Sequence, residues 1–531
     1  MSRCKIIPII DLFAGPGGLG EGFSAFCLSD KQHPFKVMLS IEKERTAHKT
    51  LLLRTFLRQF SENRFPKEYY EFLRNPKESQ EHRLTQLYEK YPKEFEAASR
   101  QAMHAELGPA EQTRIRGAID TALDGSTEWV LIGGPPCQAY SLAGRSRNKG
   151  ILDYKPENDR KQYLYLEYLQ VIADHVPAMF VMENVKGLLS ATVKNQYVFT
   201  RIVDDLRDPS RALAREGRKI NQQGRNKTRA RYRIYSVIHT DTTKPLVSSD
   251  YVVRMEQHGI PQARHRLILL GVREDLEQAQ PPSLFKHAPI PTNHVLDGLP
   301  RLRSGLSNGN DSADNWAHAL HAARERRWFE ASKKKAGAEV YKLLRELTQH
   351  VRQPNADRGA EFVPCAPNIT HRPDWFLDKH LEGACNHSSR SHITNDLYRY
   401  LYASCFAKIH GRSPVISDFP ADLLPEHSNV EDALDGAYFA DRFRVQQWGR
   451  PATTITSHIS KDGHYYIHPD ASQCRSLTVR EAARIQTFPD NYFFCGPRTA
   501  QYVQVGNAVP PLLALQIAEI VHVVLKQAGA I

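Results

Sequence analysis

A single thiol, Cys137, follows two prolines in Gly133-Gly134-Pro135-Pro136-Cys137-Gln138, directly after the apolar run Trp129-Val130-Leu131-Ile132. Prolines fix the backbone and remove N–H donors, so no helix starts at once and the cysteine is displayed at the mouth of a buried strand. Most free cysteines are small core hydrophobes. This one keeps reactive company. Arg264 and Arg266 lie at i, i+2 in Gln262-Ala263-Arg264-His265-Arg266, which on an extended segment gives them one face. Glu183 closes the apolar run Met179-Phe180-Val181-Met182 and is followed by Asn184-Val185. The attacking form of a cysteine is the thiolate, and neighbouring positive charge favours it. Cys137 is thus a candidate nucleophile, with Glu183 delivered to the same sheet end, where α/β sheets place ligands.

The elements that must position these groups are legible upstream. Ile6 to Ile10 form an apolar strand ending at Asp11-Leu12-Phe13-Ala14-Gly15-Pro16-Gly17-Gly18, and Leu19, Phe23 and Phe26 then repeat at helical spacing. Glycines in such a turn let the backbone approach a ligand, and a helix N-terminus adds partial positive charge. A second strand, Phe35 to Ile41, ends in Glu42, where a carboxylate would hold ribose hydroxyls in a nucleotide-binding unit. The pattern is not G-x-G-x-x-G, so the turn alone does not establish a nucleotide. Residues 51–108 read as a charged helical insertion, with a solvated hairpin as its expected form. Ser141 to Gly150 make a polar, basic loop fit to close over a substrate. The run of Arg and Lys between Arg201 and Arg233 suits either phosphate contacts or a solvated charged face.

The chain has 531 residues, 41% of them hydrophobic and 24% charged, which is enough for two or three domains with proper cores. A net charge of +12 suits a polyanionic partner. The eight cysteines contain no C-x-x-C pair, so neither a disulfide framework nor a zinc ribbon is expected. The same holds for Cys385-Asn386-His387 and the nearby His371, His380 and His392, whose spacing fits no structural zinc pattern. No signal peptide or membrane span is expected, and a reducing cytoplasmic location follows. Beyond Arg273 the sequence becomes richer in Pro, His, Asn and Ser, placing a domain boundary at 275–285. Near the end, Thr478 can cap an amphipathic helix, and Gly506-Asn507-Ala508-Val509-Pro510 leads into an apolar helix from Leu512 to Leu525.

Taken in order, these segments resemble the DNA (cytosine-5) methyltransferase family. Asp11-Leu12-Phe13-Ala14-Gly15 is similar to its S-adenosylmethionine motif, Pro135-Pro136-Cys137-Gln138 to its nucleophile motif, and Glu183-Asn184-Val185 to its Glu-Asn-Val motif. Gln262 to Arg266 resembles its Gln-x-Arg-x-Arg motif, Arg475 to Asp490 the motif before the final helix, and Gly506 to Pro510 the last one. The likeness covers about 1–50, 129–273 and 475–527. The related branch that acts on tRNA carries a Cys-Phe-Thr tripeptide, which does not occur here.

The resemblance implies an α/β fold: a Rossmann-like methyltransferase domain with a mostly parallel sheet (1–275), a smaller irregular target-recognition domain (276–470), and a C-terminal segment (471–531) returning to the first. It implies transfer of a methyl group from S-adenosyl-L-methionine to C5 of a cytosine flipped out of double-stranded DNA. Cys137 would add to C6 and Glu183 would stabilise the protonated ring, with Arg264 and Arg266 supplying positive charge. Phe13, Gly15, Gly17, Leu19, Glu42, Pro135, Asn507 and Val509 would hold the cofactor. Gln138, Ser141, Arg145 and Thr454 would contact DNA, and no metal is called for. A monomer is expected, and restriction, if any, would need a separately encoded endonuclease. The acidic residue that the family places ahead of the nucleophile strand has only weak candidates, Asp120 and Asp124.

Overall fold

The computed structural model describes residues 5–60, 65–136, 163–193, 196–221, 229–239, 246–276, 280–425 and 441–531. Its organising element is an eight-stranded sheet. Five strands are parallel: β1 (Ile7–Leu12), β2 (Phe35–Glu42), β3 (Ala102–His104), β4 (Val130–Gly133) and β5 (Met179–Val185). The rest are β6 (Tyr232–Ser236), β7 (Val252–Arg254) and β9 (His265–Arg273), with the two-residue β8 (Gln262–Ala263) outside the sheet. The order is β3-β2-β1-β4-β5-β9-β6, with β7 also on β9. The chain therefore reverses its direction of winding between β1 and β4, and open α/β sheets bind ligands at that switch point, beyond the carboxyl ends of the strands.

Both faces of the sheet are covered, which is why β1, β4 and β5 read as continuous apolar runs rather than alternating ones. Ile7 and Ile9 point into one core with helix α1 (Gly18–Ala25), while Ile10 and Leu12 point into another with α6 (Gln112–Leu123) and α7 (Tyr163–His175). The last helix, α16 (Pro511–Gln527), lies on the first face against α1. Gly18 and Gly22 make this approach possible. A Cβ on Gly18 would stand 2.3 Å from the Val509 carbonyl oxygen, and one on Gly22 would stand 2.4 Å from that of Pro511. Neither contact can be relieved by a rotamer change, so the two glycines serve packing and not ligand approach. The stretch Arg498–Gln527 is long and apolar enough to cross a membrane by length and composition alone, but 78% of its apolar window is buried inside the protein, as in a core helix.

The 51–108 segment also departs from expectation. It begins inside α2 (Arg45–Leu57), continues through α3 (Lys67–Arg74), α4 (Gln80–Lys90) and α5 (Pro92–Gln101), and ends in β3 at the sheet edge. Tyr69, Phe72, Leu73, Leu84 and Leu87 are buried with Phe362, Cys385, Phe493 and Cys495 in a core of their own. A solvated hairpin is thereby excluded. The apolar stripe was visible at helical spacing, but its partners lie some 300–400 residues away in the sequence.

Residues beyond 280 contain a hairpin, β10 (Gly359–Pro364) and β11 (Gly383–Ser388), and a helical unit of α10 (Ala313–Ala322), α11 (Arg327–Ala336), α12 (Ala338–Gln349) and α13 (Thr394–His410). Trp316, Trp328, Tyr400 and Phe443 fill the centre of that unit. The hairpin sits on the insertion: Tyr70 donates to Asp378 at 2.8 Å, and Arg83 pairs with Glu361. The chain then returns through β12 (Ala452–Thr453), which pairs with β8, to α14 (Val479–Ile485) and α15 (Arg498–Asn507). Thr478 and Glu481 cap α14 reciprocally.

Candidate active site

The carboxyl ends of the parallel strands and the amino end of the antiparallel β9 fall on one edge. In register, Leu12 pairs with Gly133, Gly133 with Met182, and Val185 with Arg266. Because β9 runs the other way, its first residues come out beside the last residues of β5. Arg266 Nε meets Glu183 Oε1 at 3.1 Å, with both side chains largely buried. Burial pulls the Arg266 guanidinium below its ordinary pKa, and Glu183 works against that shift.

Of the two arginines, Arg266 alone pairs with Glu183. Arg264 points the other way, fully buried, and donates to the carbonyls of Ile455 (2.6 Å), Gly506 (3.1 Å) and Ala508 (3.1 Å). Alternation along an extended segment puts i and i+2 on one face only when the segment is a regular strand. Arg264 falls in the break between β8 and β9, which releases it from that face. Burial drives the Arg264 pKa well below the usual guanidinium range, with Arg266 adding to the effect, and three carbonyl dipoles stand in for solvent.

Pro135 and Pro136 follow β4 as anticipated, and Asn184 donates to the Pro135 carbonyl at 3.2 Å, so it orients the backbone that leads to Cys137. Gly134 faces Glu183: a Cβ there would come within 3.1 Å of Glu183 Oε2. Cys137, Gln138, Ser141 and Arg145, together with the proposed closing loop, lie outside the described residues. Thr454 donates to the Ala263 carbonyl at 2.7 Å and ties the segment after β12 to the β8–β9 break.

At the β1 end, the turn separates the two glycines by function. Gly15 has φ +57°, and a Cβ on it would meet nothing within 4 Å; its N–H donates to Glu42 Oε2 at 2.8 Å. Gly17 has φ +100° and packs against Leu51 and Tyr492, so its freedom serves the fold. Leu19 is buried in the core under α1, leaving only its main chain for the cleft. Phe13 adopts φ +57°, rare for an aromatic residue, and stays partly exposed at the strand end. Burial raises the Glu42 pKa, opposed by N–H donors from Glu44 and Gly15. Asn507 is exposed and Val509 is packed on Gly18, both beside this turn.

The sequence reading missed β3, because three residues after a helix carry no periodicity. His104 pairs with Glu42 in register, so the acidic residue just past that edge is Glu106, held by Lys43 at 3.0 Å. Asp120 instead pairs with His175 at 3.1 Å, and Asp124 caps α6 in the left-handed region. The basic run also resolves: Arg201 pairs with Glu216, Arg215 with Asp205, Arg218 with Glu167 and Arg229 with Asp208. Asp205, Asp208 and Glu216 come from the run itself and Glu167 from α7, so these four arginines are paired.

Asp11, at the end of β1, is fully buried without a well-formed hydrogen bond, and burial pushes its carboxyl up to about 8, with Arg58 opposing. Folded Asp11 keeps a proton that the unfolded chain releases near 3.8, so stability falls as pH rises from there towards 8. Asp11→Asn should flatten that dependence, by on the order of 5 kcal/mol across the whole window. Melting temperatures recorded between about pH 6 and pH 8 would show it; parallel profiles for the two proteins would mean that Asp11 ionises in the fold.

A doubly wound sheet with an open glycine turn at its switch point, and an acid–guanidinium pair two strands away, defines a Rossmann-like group-transfer core. The C-5 cytosine-specific DNA methylase family matches residues 111–209 and 249–522, and the chain belongs to that family. It is 32% identical to the Type II methyltransferase M.Bpa9945I of Bacillus paralicheniformis over 98% of this chain and 99% of that one. To M.AgeI of Thalassovita gelatinovora it is 24% identical, over 97% and 99%. To M.Eco47II of Escherichia coli it is 38% identical, over 75% and 64%. The protein is a DNA (cytosine-5-)-methyltransferase that uses S-adenosyl-L-methionine and acts on double-stranded DNA. The turn fits such a cofactor: Gly15 opens onto free space, and the Glu42 carboxylate stands at its lip.

Proposed function

We propose that Cys137 adds to C6 of a flipped cytosine, that Glu183 contacts N3 and the exocyclic amine, and that Arg266 holds Glu183 in place while lending positive charge to the thiolate. The observation that carries this is the Glu183–Arg266 pair at the end of β5, one strand from the Pro-Pro turn that precedes Cys137. Carbon 5 of cytosine is a weak nucleophile until a thiolate adds at C6 and raises electron density there. Stabilising the ring as it takes up a proton lowers the barrier to that addition. S-adenosyl-L-methionine supplies the electrophilic methyl group. Phe13, Gly15, Glu42, Asn507 and Val509 would hold it, with main-chain atoms of Leu19 and Pro135, and Glu106 is our choice for the acidic contact to its adenine. Arg264 acts through position: it clamps the recognition segment at Ile455 and the C-terminal motif at Gly506 and Ala508. Gln138, Ser141, Arg145 and Thr454 are assigned to DNA.

The chain divides by task into a catalytic part (1–275), a recognition part (276–470) and a returning segment (471–531). Support for a modification enzyme of a restriction system comes from the relatives named Type II methyltransferases. A separately encoded endonuclease would then share its site, and the enzyme would work as a cytoplasmic monomer on the nucleoid. Incubation with methyl-labelled S-adenosylmethionine, and separately with unmethylated duplex DNA or bulk tRNA, tests the reading. Label is expected in 5-methyldeoxycytidine; label confined to tRNA would sink it.

A further inference from the structure

Beside the β8–β12 pairing lies a groove of about 370 Å³, lined by Ala263, Thr453, Thr454, Thr456, Tyr465 and Tyr466, with Arg444 as its cation. Its volume is near the lower end of the roughly 300–1,000 Å³ typical of small-ligand sites, room for one nucleotide and not for a duplex. Ala263 stands three residues before Arg266, so the groove reaches to within roughly 10 Å of the Arg266 backbone, the span of three extended residues.

The hydroxyls of the lining are already engaged. Thr453 Oγ1 accepts from Gln446 at 2.9 Å, Thr454 donates to Ala263, and Thr456 and Tyr466 share a hydrogen bond of 2.7 Å. What the groove still offers is a guanidinium and a phenol ring, with the Arg444 guanidinium carbon 5.8 Å from the Tyr465 ring centroid. Their backbone is held firmly. Arg444 donates its N–H to the His464 carbonyl at 2.8 Å and accepts from Ile467 at 3.0 Å, and the Tyr465 carbonyl accepts from Gln446 at 3.0 Å. Among the described residues, no carboxylate lines the groove. The acid that Arg444 meets is Asp441 on the rim, where the Arg444 and Asp441 side chains are 37% and 49% exposed. An exposed pair of that kind is worth little and yields to a better anion.

We infer that this groove receives a nucleotide flanking the target cytosine, its phosphate on Arg444 and its sugar or base against the Tyr465 ring, with Asp441 occupying the guanidinium until DNA displaces it. The inference rests on the DNA-methyltransferase reading and adds to it two contact residues and an internal competitor. A phosphate contact contributes affinity that falls with salt, whereas stacking on an aromatic ring does not.

The test is the affinity of the full-length protein for an unmethylated duplex oligonucleotide at several salt concentrations. Arg444→Gln should weaken binding about tenfold at low salt and reduce the salt slope by about one. Tyr465→Leu should weaken it about fivefold or more with the slope unchanged. Asp441→Asn, a surface change, should tighten binding, and the gain should vanish in the Arg444→Gln/Asp441→Asn double variant, because the two side chains are coupled. S-adenosylmethionine affinity should be the same throughout, which reports an intact fold. If wild-type protein methylates the duplex while Arg444→Gln keeps both its affinity and its slope, the groove is not a nucleotide site. Tightening by Asp441→Asn that is equal with and without Arg444 would exclude the competitor role in the same way. Absence of methylation by wild type would instead overturn the reading beneath it.

Discussion

Cys137→Ala protein should bind S-adenosylmethionine with unchanged affinity and transfer no detectable methyl to DNA. Without the sulfur no covalent bond to C6 can form, and the uncatalysed electron density at C5 is too low to attack a methyl donor. The cofactor turn lies at the ends of β1 and β2, and the structure contacts it through Gly15, Glu42 and the Gly18–Val509 seam, none of which depends on the thiol. Calorimetric titration of cofactor together with labelled-methyl transfer separates the two. Retained turnover would remove Cys137 from the mechanism, whereas joint loss of binding and transfer would point to a damaged fold.

Glu183→Gln should slow the methyl-transfer step by about 10²–10⁴-fold, the range of a positioned acid–base group. The amide preserves shape and one hydrogen bond, but it cannot stabilise a protonated ring, and it leaves Arg266 buried without its counter-ion. Breaking a buried pair by removing one partner costs about 3–5 kcal/mol, so thermal stability should fall as well. The kinetic effect is separable because single-turnover rates are read on folded, DNA-bound protein. An unchanged single-turnover rate would refute the role given to Glu183.

The parts of this enzyme written in short segments were legible in its sequence. β1, β4 and β5 announce themselves as apolar runs ended by glycine, proline or an acid, and Thr478 with Glu481 marks the start of α14. The reading stopped where meaning depends on a distant partner. Gly17 and Gly18 looked like ligand-approach glycines until Leu51 and Val509 were seen against them. Arg264 and Arg266 looked equivalent, and only the break between β8 and β9 sends one to Glu183 and the other to three carbonyls. The insertion looked solvated because Phe362, Leu381 and Phe493, which cover it, lie some 300–400 residues further along the chain. β3 was lost because three residues cannot display a period.

The glycine-lined seam between α1 and α16 also fixes when this molecule can be finished. The apolar face of β1 and α1 carries Ile7, Ile9, Leu19 and Phe23, and its cover comes from Leu513, Ile517 and Val521, about 490 residues later in the chain. At the roughly 5–20 residues per second of protein synthesis, that face waits on the order of half a minute or more for its cover. During translation the nascent N-terminal half therefore displays hydrophobic surface that α16 covers only much later. The glycine turn after β1, wedged by Val509 at Gly18, is completed only after some 490 further residues have been made.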